Sequence, residues 1–140
     1  MAKIDVFGVD SAEWVTGKDS MSDAQKAEMA DDQEIEGAAK RVRHPGSESA
    51  PQLFECRVGP NQAVDAHAHQ LDEIIYVVSG SMQLGARTLE PGASVHIPGR
   101  TLYSFSSGPD GLHFLNFRGT TDSTYFTKQE FMALRAGAEA

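Results

Sequence analysis

Between residues 52 and 119 the chain is cut into short apolar stretches by 8 of its 13 glycines and 4 of its 6 prolines. Punctuation at this spacing leaves no room for long helices and reads as strands joined by turns. The stretches are Leu53 to Val58, Ala63 to His69, Glu73 to Val78, Ser81 to Leu84, Ala93 to Ile97, Thr101 to Phe105 and Leu112 to Phe117, with an earlier strand expected over Ala38 to Arg43. Several short strands with Gly and Pro turns predict an all-β sandwich or barrel. The 140 residues suffice for one core that needs neither a disulfide nor a structural metal.

The two ends differ from this middle. Residues 1–36 hold ten acids against three bases, so nearly all of the net charge of −8 lies on this arm and the rest of the chain is close to neutral. Its helix formers, with Ser20 or Ser22 as N-cap, predict a short helix over about 22 to 31. Thr127-Lys-Gln-Glu130 has capping-box spacing and predicts a short closing helix. The expected organisation is an acidic arm over 1–36, a barrel over 37–126 and a helix over 127–140.

Several function classes fall away. No stretch clusters bases with aromatics, and the acidic arm would repel a phosphate backbone, so nucleic acid is not an expected partner. The longest apolar run, Ile74 to Val78, is about a quarter of what a bilayer-spanning helix needs, so no membrane is expected either. The first residues lack the pattern of a secretion signal, which predicts a cytoplasmic protein. Cys56 alone cannot form an intrachain disulfide and is expected to be a buried, inert thiol. Phe7, Val9 and Trp14 give the arm apolar surface to bury, and strand edges need covering, which together predict a homodimer.

The chemistry concentrates at one place. His67 and His69 are two apart, so on a strand both imidazoles project from one face. Glu73 follows four residues later with the same parity. Two imidazoles and a carboxylate with open positions suit one divalent transition metal, Fe, Mn, Ni or Zn, without choosing among them. An isolated HxH pair is a weak signal, since paired strand histidines are often only hydrogen-bonded.

The wider spacing is more specific. His67-Ala-His69-Gln-Leu-Asp-Glu73-Ile-Ile-Tyr-Val-Val-Ser-Gly80 resembles, position for position, the first motif of the cupin superfamily: HxH, three residues, Glu, six residues, Gly. That motif's leading glycine resembles Gly59, which stands eight residues before His67 rather than six. Gly92-Ala-Ser-Val-His-Ile-Pro98 resembles the opening of the second motif, but the family's second glycine then falls at Arg100 and its metal-binding histidine at Tyr103. The resemblance spans roughly 50–119. It implies a double-stranded β-helix, the cupin jelly roll, with one metal inside the barrel; the short N-terminal helix and short C-terminal helix read from the residues would flank it.

The resemblance leaves function open, because cupins include dioxygenases, decarboxylases, isomerases, lyases, binding modules and storage proteins. Tyr103 admits three readings: a phenolate ligand, a protonated acid or hydrogen-bond donor beside a three-ligand site, or a barrel that has lost its metal. His113 is a possible fourth ligand if its parity is inward, in which case Asn116 faces the other way. His96 faces either cavity or solvent, and Arg57, on one strand face with Glu55, is a candidate for a substrate carboxylate or for an ion pair. The cavity wall is expected from Val77, Met82, Leu84, Phe105 and Phe117. A divalent ion balanced by one carboxylate keeps a charge near +1 and favours a small-molecule substrate with an anionic oxygen pair, such as the enolate of a dicarbonyl. Fe(II) would point to a dioxygenase, and Zn, Ni or Mn to isomerase, lyase or decarboxylase chemistry. The alternative is a small-molecule binding or sensing barrel without turnover.

Overall fold

The computed structural model describes residues 3–16 and 37–139; the helix expected over 22–31 lies outside the described residues. Among the described residues nine strands follow in order: β1 (Val15–Thr16), β2 (Ala39–His44), β3 (Gln52–Val58), β4 (Ala63–Ala68), β5 (Glu73–Leu84), β6 (Arg87–Leu89), β7 (Ser94–Ile97), β8 (Tyr103–Arg118) and β9 (Phe126–Thr127). One helix, α1 (Lys128–Glu139), closes the chain. All pairings are antiparallel: the path runs β1-β2-β3-β8-β4-β9, and β5 pairs with β6, β7 and β8. The strands form a curled all-β barrel. Among the described residues no helix is long and apolar enough to cross a membrane.

Two expected breaks in the strands do not occur. Ser81 to Leu84 continues the strand from Glu73 as one 12-residue β5, and Tyr103 to Arg118 is one 16-residue β8 running through Gly108-Pro-Asp-Gly111. The glycines at these points bend paired strands instead of reversing the chain. Gly80 has φ +71°, and a Cβ there would lie 2.0 Å from the Gly111 carbonyl oxygen, so only glycine lets the β5 and β8 backbones approach this closely. The register between β5 and β8 shifts at this place.

Period-two alternation sets the interior. Along β5, Glu73, Ile75 and Val77 are buried while Ile74, Tyr76 and Val78 face outward. With Val64, Met82, Leu89, Ile97, Phe105, Leu112 and Phe114 these aliphatic residues make one core, each large side chain contributing about 1.5–3 kcal/mol on burial. At the closing helix the Glu130 backbone N–H donates to Thr127 Oγ1 at 3.2 Å, the N-cap bond expected from the capping-box spacing.

Candidate functional site

The polar end of the barrel interior is built by four strand ends. His67 lies on β4, paired with Tyr103 at the start of β8, and His69 lies just beyond β4. Glu73 opens β5 opposite Arg118 at the end of β8, and Ile75 faces Asn116. The turn before β8 is built by Gly99 and Arg100. Arg100 adopts the left-handed conformation (φ 59°) where a glycine is expected, and its N–H donates to the His69 carbonyl at 2.7 Å. Gly99 occupies a place where a Cβ would meet the Gln70 carbonyl oxygen at 2.4 Å.

The hydrogen bonds fix the histidine tautomers. His67 Nδ1 lies 2.8 Å from the Asp65 carbonyl oxygen and His69 Nδ1 lies 2.6 Å from that of Thr124. A carbonyl has no proton to give, so each Nδ1 carries the hydrogen and each Nε2 keeps its lone pair. Burial lowers the His67 pKa to about 4, and burial followed by the Arg118 charge lowers that of His69, so both rings are neutral at pH 7. Tyr125 stacks on His67 with centroids 4.7 Å apart.

His69 Nε2 faces Glu73, whose side chain is almost fully buried, and His67 Nε2 reaches the same carboxylate through the Tyr103 hydroxyl. His69 Nε2 is 3.9 Å from Glu73 Oε1, and His67 Nε2 is 3.1 Å from the Tyr103 hydroxyl, which itself donates to Glu73 Oε1. Glu73 Oε2 accepts from Asn116 Nδ2 at 2.7 Å and from Arg118 at 3.3 Å. The Tyr103 phenol is held protonated well above its ordinary pKa, first by burial and then by the Glu73 charge.

These residues can be tested as a metal site. Among the described residues no three His, Cys, Asp or Glu side chains form a ready-made metal cage; the Tyr103 hydroxyl stands among the donors, and the Arg118 guanidinium lies 3.5 Å from His69 Nε2. The donor chemistry nonetheless fits a cation. His67 Nε2, Glu73 Oε1 and the Tyr103 oxygen share one hydroxyl proton, and His69 Nε2 has only the Arg118 N–H at 3.5 Å, an excess of acceptors. The Nδ1 bonds to backbone carbonyls are the outer contacts that orient metal-binding imidazoles.

Beside this cluster lies a cavity of about 280 Å³ whose apolar wall includes Phe54, Cys56, Val64, Ile75, Phe105 and Phe114. Of the expected wall only Phe105 lines it. Val77 and Met82 are sealed in the core and Leu84 packs against it, while Phe117 is 40% exposed on the outer face, because parity along β8 turns Asn116 and Arg118 inward instead. Burial pushes the Cys56 thiol up to about 12, so it carries no thiolate at neutral pH.

Of the other sequence candidates, His113 and His96 lie outside the cavity and Arg57 is on its lining. His113 has outward parity and bonds Glu55 Oε2 at 2.7 Å, so it is no fourth ligand. His96 is exposed and bonds Asp72 at 2.9 Å. Arg57 does not pair with Glu55, which Arg41 takes at 2.5 Å; its guanidinium stacks 3.9 Å from the Trp14 ring. Arg118, Asp122, Thr124 and Tyr125 were not expected at the site. Arg118 shares the parity of Asn116, and that alternation, extended one residue past Phe117, is the signal that points to it.

Solved structures place this architecture. An RmlC-like cupin protein from Ralstonia eutropha matches with a TM-score of 0.65 at 13% identity, over 91% of this chain and 75% of that one. A cupin-2 domain from Rhodospirillum rubrum matches with a TM-score of 0.62 at 16% identity, over 94% of this chain and 86% of that one. The chain has a cupin fold. A further cupin-fold match is the polyketide cyclase RemF from Streptomyces resistomycificus, 24% identical over 66% of this chain and 72% of that one, with a TM-score of 0.57. No protein-family model matches the chain, and no curated protein matches its sequence. At these identities the likeness of the cupin structures is one of fold.

Proposed function

We propose that the chain is a metal-dependent cupin-fold enzyme acting on a small, oxygen-rich substrate of the dicarbonyl or enolisable kind. One observation carries this reading: two neutral histidines, anchored through Nδ1, turn their Nε2 lone pairs to the Tyr103 hydroxyl and the buried Glu73 it donates to, beside an apolar cavity. In this reading His67, His69 and Glu73 hold one divalent transition metal. When bound, the ion supplies Lewis acidity toward an enolate-type oxygen pair, or dioxygenase chemistry if it is iron. The similarity to a polyketide cyclase supports a carbonyl-rich substrate. The protein's own groups do the rest: the aromatic wall excludes water, Asn116 and Arg118 hold the carboxylate in place, and Tyr103 keeps a proton beside the reacting oxygen. The test is turnover of β-dicarbonyl and hydroxy-ketone compounds by protein carrying its native metal.

Arg118 favours a second reading. Its guanidinium already balances the Glu73 charge, as a binding barrel without metal or turnover would need. Stoichiometric metal in native protein separates the two.

The protein is further proposed to be a homodimer. Trp14 is already covered by Arg57 and Arg41, but Phe7 and Val9 on the arm stay exposed, and on the sheet Ile74, Tyr76 and Val78 on β5 stand beside Phe117 on β8, each at least 40% exposed. Light scattering is expected to give twice the chain mass, and Tyr76→Glu to shift it to one chain. A single-chain mass for the wild type would contradict this.

A further inference from the structure

The cavity holds a cation that the site described above does not use. Lys40 on β2, opposite Cys56, lines the cavity with its ammonium 5.0 Å from the centre of the Phe54 ring. Arg118 lies 5.9 Å from the same ring, but the two cations differ in their partners. Arg118 donates to Glu73, Asn116 and the Asp122 carbonyl. Lys40 makes no hydrogen bond or ion pair among the described residues. The one acid in the lining does not serve it: the Asp122 carboxylate is taken by the Leu71 N–H and by the Thr124 N–H and hydroxyl. The charged residues of the lining are therefore three cations, Lys40, Arg57 and Arg118, against this one committed anion.

An ammonium drawn into an apolar cavity costs free energy unless an anion or a ring face offsets it. Phe54 offers only the latter. Burial lowers the Lys40 pKa, and the neighbouring Arg118 charge acts in the same direction. A ligand carboxylate at Lys40 would reverse both effects while its apolar body rests on Phe54, Phe105 and Phe114.

We infer that Lys40 is the anchor for the carboxylate of a small organic acid whose apolar body fills the cavity. This rests on the reading of the cavity as the substrate site and narrows the substrate class to carbonyl compounds that also bear a carboxylate.

Calorimetric titration of the whole protein with benzoate and with its neutral analogue benzamide tests this. Benzoate is expected to bind about tenfold more tightly or better, the margin of a charge-assisted hydrogen bond. Lys40→Met should abolish the preference and Lys40→Arg should keep it, with unchanged melting curves showing that both variants fold. Equal affinity for the two probes, no benzoate binding, or wild-type preference in Lys40→Met would overturn the inference. Running His67→Ala in parallel separates the two claims: metal that stays in that variant counts against the metal reading alone, and a benzoate preference that persists in it shows that Lys40 acts without the metal.

Discussion

Tyr103→Phe is expected to keep its metal and its fold and to lose about 10²-fold or more in turnover, the loss typical for one positioned acid or hydrogen-bond donor. The hydroxyl is an uncharged donor on a ring beside both histidines, and it now serves Glu73 Oε1 and faces His67 Nε2. Burial and the Glu73 charge hold the phenol protonated in the metal-free site, and a divalent ion already facing one carboxylate is a modest Lewis acid. The variant should therefore lack only the donor, and native protein should show no visible phenolate charge-transfer band. Loss of metal in Tyr103→Phe would make the tyrosine a ligand; full activity would make it cavity wall.

Glu73→Ala should be the most destabilising single change at the site. Its carboxylate is 1% exposed and accepts from Tyr103, Asn116 and Arg118, so removal leaves a buried guanidinium without its counter-charge. Breaking a buried pair in this way costs about 3–5 kcal/mol, whereas removing both charges costs less because no orphan remains. Urea unfolding of metal-stripped protein checks it: Glu73→Ala should fall far below the wild type, and Glu73→Leu combined with Arg118→Met should recover part of the loss. A Glu73→Ala variant within about 0.5 kcal/mol of the wild type, the range of an ordinary surface change, would contradict the burial argument.

The barrel was legible because its cause is local. Alternation along Glu73–Val78 and the glycine and proline punctuation state the strands and their inner face directly. The breaks were misread because Gly80 and Pro109–Gly111 carry turn chemistry, while the requirement they meet, two backbones closing on each other, is a contact across the sheet. His67, His69 and Glu73 could be found from spacing because β4 and β5 follow each other closely. Tyr103 needed the register of the second motif, and the left-handed Arg100 shows how that register survives without its glycine. Lys40, Thr124 and Tyr125 reach the cavity from β2 and from the loop before β9, so no local pattern marks them. His113 and Asn116 have opposite parity on β8, and Asn116 is the one inside.

The central claim is that His67, His69 and Glu73 together hold one metal ion, and elemental analysis tests it most directly. Protein purified without chelator and without a nickel column should contain one divalent transition metal per chain, with the content falling close to zero in His67→Ala and in the isosteric Glu73→Gln. Metal-free native protein, or unchanged metal in both folded variants, would contradict the account.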